Sequence, residues 1–169
     1  MTRQILTTFV ALGVLSGPML ALCDNLEEGS WAVMVFGGLH KPKPGGIDNE
    51  GVFGIRGARA LTDRWVAVGS LGHSDIGRGQ QTLLDANMSY VFRPDKRLSM
   101  VLTGGIGHAF VNDIAERDSF TMNVGFGPMI GLNSRLMIRV LNRFRWFESR
   151  DDDNVDQEIT IALVIKLRQ

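Results

Sequence analysis

The chain has 169 residues, with 18 Lys+Arg against 18 Asp+Glu. It is long enough for one domain with a real core, and its zero formal net charge excludes field-driven attraction to nucleic acid or acidic substrates. The single Cys excludes an intrachain disulfide framework, and 20 Gly against 5 Pro suit closely packed strands better than a helical bundle.

The N-terminus reads as a targeting segment. Arg3 supplies the positive start, Ile5 to Leu15 an apolar run, and Ser16-Gly17-Pro18 a break before the small residues Ala21 and Cys23. Residues 1–23 are therefore expected to be a cleaved signal peptide, leaving a mature domain over 24–169 with no cysteine. A competing reading makes Leu20-Ala21-Leu22-Cys23 a lipoprotein box acylated at Cys23, against which Leu22 occupies a position that wants Gly, Ala or Ser. The apolar run is short for a spanning helix, and no long apolar stretch follows it. If the mature protein sits in a membrane, a closed barrel is the remaining way to pair its backbone groups.

Eight strands are expected, in chain order Trp31 to His40, Gly51 to Leu61, Trp65 to Ser74, Gln80 to Phe92, Arg97 to Val111, Phe120 to Leu132, Leu136 to Phe147 and Gln157 to Leu167. The first is the least distinct, because Trp31, Val33, Val35 and Leu39 alternate with Ala32, Met34, Phe36 and His40, so both faces are largely apolar. In the fourth, Gln81, Asp85, Asn87 and Ser89 oppose Leu84, Ala86, Met88, Tyr90 and Phe92. In the sixth, Phe120, Met122, Val124, Phe126 and Ile130 oppose Thr121, Asn123 and three glycines, and Pro128 is the awkward residue because it lacks a backbone donor. The seventh sets Leu136, Ile138, Val140, Phe144 and Trp146 against Arg139, Arg143 and Arg145. The last alternates Ile159, Ile161, Leu163, Ile165 and Leu167 with a mixed face that carries Glu158 and Lys166.

The joints sort into two kinds. Thr62-Asp63-Arg64, Arg93 to Lys96 and Asn133-Ser134-Arg135 are tight and rich in turn formers. Lys41 to Glu50, Asp75 to Gly79, Asn112 to Ser119 and Glu148 to Asp156 are longer or looser. Strict alternation of short and long joints is the pattern of an outer-membrane barrel, with short periplasmic turns and long outer loops. Tyr90, Phe92, Trp65, Trp146 and Phe147 stand near strand ends, where aromatics favour the interface. The expected fold is thus all-β, an eight-stranded antiparallel up-and-down transmembrane β-barrel.

Short motifs in order along the chain carry a resemblance. They are Gly54-Ile55-Arg56-Gly57, Leu61-Thr62-Asp63-Arg64-Trp65, Tyr90-Val91-Phe92-Arg93-Pro94, Gly104-Gly105-Ile106-Gly107, Gly125-Phe126-Gly127-Pro128 and Arg143-Phe144-Arg145-Trp146-Phe147. From about Gly51 to Leu167 the chain resembles the OmpA-type outer-membrane β-barrel domain. The resemblance implies residence in a Gram-negative outer membrane, contact with its lipid and lipopolysaccharide, and insertion by the barrel assembly machinery. Two features depart from the family pattern: Leu167 stands where a terminal aromatic is usual, and the peptidoglycan-binding domain that follows the barrel in OmpA itself is not expected.

Strand parity points Arg56, Asp85, Arg139, Arg143, Arg145, Glu158 and Lys166 into the lumen, with Gln81, Asn87 and Asn123. A barrel of this size is only wide enough for side chains to fill, so these charges are expected to pair as a plug in which Asp85 and Glu158 are the scarce acids. Such a plug either fixes the barrel or gates a narrow ion path. The acidic run Asp151-Asp152-Asp153 lacks the glycine turn and spacing of a calcium loop and reads as a solvated outer loop. His40, His73 and His108 have no metal-ligand spacing and read as lone residues near strand ends. No His-x-Ser occurs, so a lipid A-modifying enzyme is a rival without its base and nucleophile. A soluble periplasmic lipocalin-like barrel is the other alternative, and it requires the arginines of the seventh strand outside and the aliphatic bands inside. Neither catalysis, cofactor nor metal is expected, and the protein is expected to be monomeric.

Overall fold

A computed structural model describes residues 27–41, 50–76, 79–94, 96–111, 118–148 and 155–167. The leader over 1–23 with Cys23, the body of the first long joint and the acidic run at 151–153 lie outside the described residues. Eight strands follow in order: β1 (Trp31–Lys41), β2 (Glu50–Ala60), β3 (Trp65–Ile76), β4 (Gly79–Phe92), β5 (Leu98–Val111), β6 (Ser119–Gly131), β7 (Leu136–Phe147) and β8 (Val155–Leu167). Each pairs antiparallel with its chain neighbours and β1 pairs with β8, so the sheet closes and leaves no edge.

The register fixes the barrel's shape. Trp31 stands opposite Arg59, and the same row continues through Ala67, Met88, Gly104, Val124, Phe144 and Gln157 to Lys41, ten residues further along β1 than it began. With eight strands, that stagger tilts the strands by about 40° to the barrel axis. It leaves an interior that side chains alone can fill.

The tight joints are closed by the residue types that predicted them. Thr62 Oγ1 accepts from the backbone N–H groups of Arg64 and Trp65 at 3.2 and 3.0 Å, and Asn133 Oδ1 accepts from those of Arg135 and Leu136 at 2.8 and 2.9 Å. Arg93 adopts a positive φ of 52° at the third. The joint expected at Asp75 to Gly79 is different. β3 runs on to Ile76, which stands opposite Gly79, so only positions 77 and 78 connect the two strands. A two-residue connection is already the tight kind, so the alternation of short and long joints fails at this hairpin. Similarly, Asp156 belongs to β8 and not to the joint before it.

Burial alternates residue by residue, with an unusual sign. The outward face is aliphatic and aromatic: Val35, Phe53 and Ile161 are each more than half exposed. The inward face holds every buried arginine among the described residues, including Arg139, Arg143 and Arg145 of β7. This is opposite to the arrangement a lipocalin-like barrel requires. β1 fits once the interior is seen in layers: its inward Ala32, Met34 and Phe36 join Val66, Val91, Val101 and Met129 in an apolar layer weighted toward the short-turn end. Near the other end Leu83, Ala109 and Phe147 form a second, smaller apolar cluster.

Pro128 is accommodated by a gap in one ladder. It stands opposite Met100 of β5, whereas toward β7 the described pairing steps from Phe126–Asn142 to Met129–Arg139. Gly127 beside it has no room for a side chain, since a Cβ there would meet the Val140 carbonyl. Outward at the short-turn end, Trp65 and Tyr90 rings lie 5.0 Å apart and Tyr90 and Phe92 4.8 Å apart, in edge-on contact. They form a local aromatic girdle.

Ile161 is at the middle of β8 and 60% exposed. If its surroundings are hydrocarbon, Ile161→Arg costs about 2–4 kcal/mol of folding stability in bilayers, whereas an exposed site in water would cost almost nothing. Denaturant titration in liposomes measures the difference.

Candidate functional site

The interior cluster is assembled from four strands. Arg56 comes from β2, Asp85 from β4, Arg143 and Arg145 from β7, and Glu158 from β8. All five are buried, at 4% exposure or less. Arg145 grips Asp85 with two nitrogens, Nη1 to Oδ1 at 2.6 Å and Nη2 to Oδ2 at 3.0 Å. Arg143 Nη1 donates to the same Oδ2 at 3.0 Å, and Ser70 Oγ donates to it at 2.9 Å. Arg145 Nη1 also donates to Thr121 Oγ1 at 3.1 Å. Fork-like pairing of this sort is the strong, directional form of a guanidinium–carboxylate contact.

Glu158 is held more loosely. Arg56 Nη2 donates to its Oε1 at 3.2 Å, while Arg145 and Arg143 stand 3.7 and 3.9 Å from Oε2. The Arg56 guanidinium also lies 3.8 Å from the centroid of the Phe36 ring. Phe36 therefore joins the apolar layer to the charged one through a cation–π contact. The charges of the cluster compensate one another across the lumen, which is how buried ions are tolerated.

Gly107 makes space for this arrangement. On β5, it stands opposite Asp85 of β4 and Thr121 of β6, and a Cβ there would collide with the Asp85 carboxylate and the Leu84 carbonyl. Glycine is needed because the carboxylate occupies the volume a side chain would take.

The other expected lumen residues are not all in the cluster. Arg139 is buried but stands apart, opposite Met129 and Ala162, and no ion pair joins it to a carboxylate among the described residues. Lys166 is on the inward face but half-buried at the short-turn mouth, opposite Ala32. Gln81, Asn87 and Asn123 are buried around the cluster.

A second pair escaped the sequence reading. His40 Nε2 lies 3.1 Å from Asp156 Oδ2, and both side chains are almost completely buried. His40 is therefore no lone residue, and Asp156 no loop residue. Two signals pointed here: His40 shares the inward parity of β1, and Asp156 shares that of Glu158. His73 and His108 face outward, against Phe53 at 5.5 Å and Phe110 at 4.6 Å between ring centroids.

No protein-family model and no curated protein matches the sequence. Solved structures do match the fold. The N-terminal β-barrel domain of Pseudomonas aeruginosa OprF superposes with a TM-score of 0.70 at 13% identity, over 83% of this chain and 98% of that one. Neisserial surface protein A gives 0.68 at 13% identity, over 83% and 100%. Ail, the attachment invasion locus protein of Yersinia pestis, gives 0.59 at 16% identity, over 84% and 100%.

The cluster geometry makes a specific expectation. Gly107→Val displaces the Asp85 carboxylate and lowers stability by about 3 kcal/mol or more, as breaking a buried pair does. Gly57→Val, where a Cβ meets nothing within 4 Å, changes it little; heat-modified mobility on gels ranks the two. The chain has the fold of the eight-stranded, OmpA-type outer-membrane barrel.

Proposed function

We propose that the protein is a small integral outer-membrane barrel with a structural role, its lumen sealed against ions and its outward face set against lipid. The observation that carries this reading is the stacking of the interior. A charged layer centred on Asp85 lies between the apolar layer of Met34, Val66, Val101 and Met129 on one side and Leu83, Ala109 and Phe147 on the other. Ions crossing such a lumen would have to shed water twice against aliphatic walls. The fold shared with outer-membrane barrels supports the location.

On this reading the partners are outer-membrane lipid and lipopolysaccharide, with the barrel assembly machinery acting during insertion. The protein works as a monomer without cofactor, and it carries out no catalysis. Its three histidines support the last point: one is buried against Asp156, and two face outward beside aromatic rings. None is set beside a serine as a base beside a nucleophile.

One observation favours a second reading, a narrow pore that opens when ion pairs exchange. Glu158 has three guanidinium groups between 3.2 and 3.9 Å, so its partner can change with little motion. Planar-bilayer recordings separate the two. The structural role predicts no discrete conductance from the native chain, Asp85→Ala or Glu158→Ala. Unitary openings in the native chain that change in either variant would establish the pore instead.

A further inference from the structure

Among the described residues, one buried cation of this barrel stands apart from the carboxylates. Four guanidinium groups are buried among these residues, those of Arg56, Arg139, Arg143 and Arg145, and the fully buried carboxylates are those of Asp85, Asp156 and Glu158. Asp85 and Glu158 are shared by Arg56, Arg143 and Arg145, while Asp156 faces His40. No ion pair joins Arg139 to a carboxylate among the described residues, and it stands opposite Met129 and Ala162. Its Nε reaches no hydrogen-bond partner, and its side chain lines a cavity of about 20 Å³ with Met34, Val66, Val91, Val101 and Met129.

We propose that this cavity is a binding site for one small monovalent anion, a halide such as chloride, held against the Arg139 guanidinium. Three properties of the site select that occupant. The first is charge: an unpaired guanidinium in a low-dielectric interior is costly, and a counter-anion removes the cost. The second is size. A space of about 20 Å³ exceeds the ~10–15 Å³ that one water-sized particle needs, but it is too small for a polyatomic oxyanion with its own contact shell.

The third property is the chemistry of the wall. A buried water needs two to four polar partners, whereas around this cavity Arg139 is joined by one other polar residue, Ser89. The Ser89 hydroxyl donates to Thr103 Oγ1 at 2.9 Å, so its proton is already committed. A halide needs no acceptor and keeps van der Waals contact with valine methyls and methionine thioethers. It takes its stabilisation from the one cation present. Such a site acts as a structural ion that completes the charge balance of the lumen, and it does so whether or not the barrel conducts.

The test is thermal unfolding of the refolded full-length barrel in sodium chloride and in sodium gluconate, at equal ionic strength and pH. The half-unfolding temperature of the native chain rises saturably with chloride, by on the order of 5 °C at concentrations well above the dissociation constant. Arg139→Met fits the aliphatic and thioether wall and removes the charge, so its unfolding temperature becomes the same in both salts. A native chain indifferent to chloride, or a chloride effect that survives in Arg139→Met, overturns the proposal. If that variant does not fold, crystals of the native chain grown in bromide decide the matter. An anomalous peak in contact with the Arg139 guanidinium supports the site, and a cavity without one refutes it.

Discussion

The interior turns on the carboxylate of Asp85. A single acid on β4 receives two nitrogens from Arg145, one from Arg143 and the hydroxyl of Ser70, so it ties β3, β4 and β7 together through the lumen. Backbone pairing alone makes a closed cylinder, but it does not say what fills it. On the proposed reading, with lipid around the cylinder, no external water can solvate a stray charge, and each buried guanidinium must find its partner inside. Gly107 leaves the room, Thr121 takes up a remaining donor of Arg145, and Glu158 with Arg56 extends the network to β8 and β2. The apolar layer toward the short-turn end still holds Arg139 and Ser89 among its methyls and thioethers.

Much of this was legible in the sequence because strand parity is a local property. Once Gln81, Asp85, Asn87 and Ser89 are seen to share a face, Asp85 must point inward. The same logic places Arg56, Arg139, Arg143, Arg145 and Glu158. Tight turns were equally local, since Thr62 and Asn133 act on backbone groups two and three residues away. β1 was hard to read because its inward residues Ala32, Met34 and Phe36 line an apolar layer, which erases the polar–apolar alternation. What stayed hidden depends on register and depth. Arg139 and Arg143 look equivalent along β7, yet Arg143 stands opposite Glu158 and Arg139 opposite Ala162. The His40–Asp156 pair and the extended hairpin at Ile76 and Gly79 likewise arise from contacts between strands, which no single segment encodes.

A net charge of zero conceals this internal bookkeeping. The same chain that gives no long-range field carries four buried arginines among its described residues, and it sets one of them, Arg139, apart from the carboxylates that hold the other three. On the proposed reading, stability and the closing of the lumen rest on the same atoms. The hold is tight at Asp85 and looser at Glu158, whose Oε2 lies 3.7 and 3.9 Å from Arg145 and Arg143.

The central claim is that the Asp85–Arg145 contact holds the interior together, and a double-mutant cycle in liposomes measures it most directly. Stabilities of the native chain, Asp85→Asn, Arg145→Met and the double variant give the coupling between the two side chains without counting their separate costs. A coupling of about 2 kcal/mol or more is the predicted result. A coupling near zero, with the two single losses simply adding, would contradict the account.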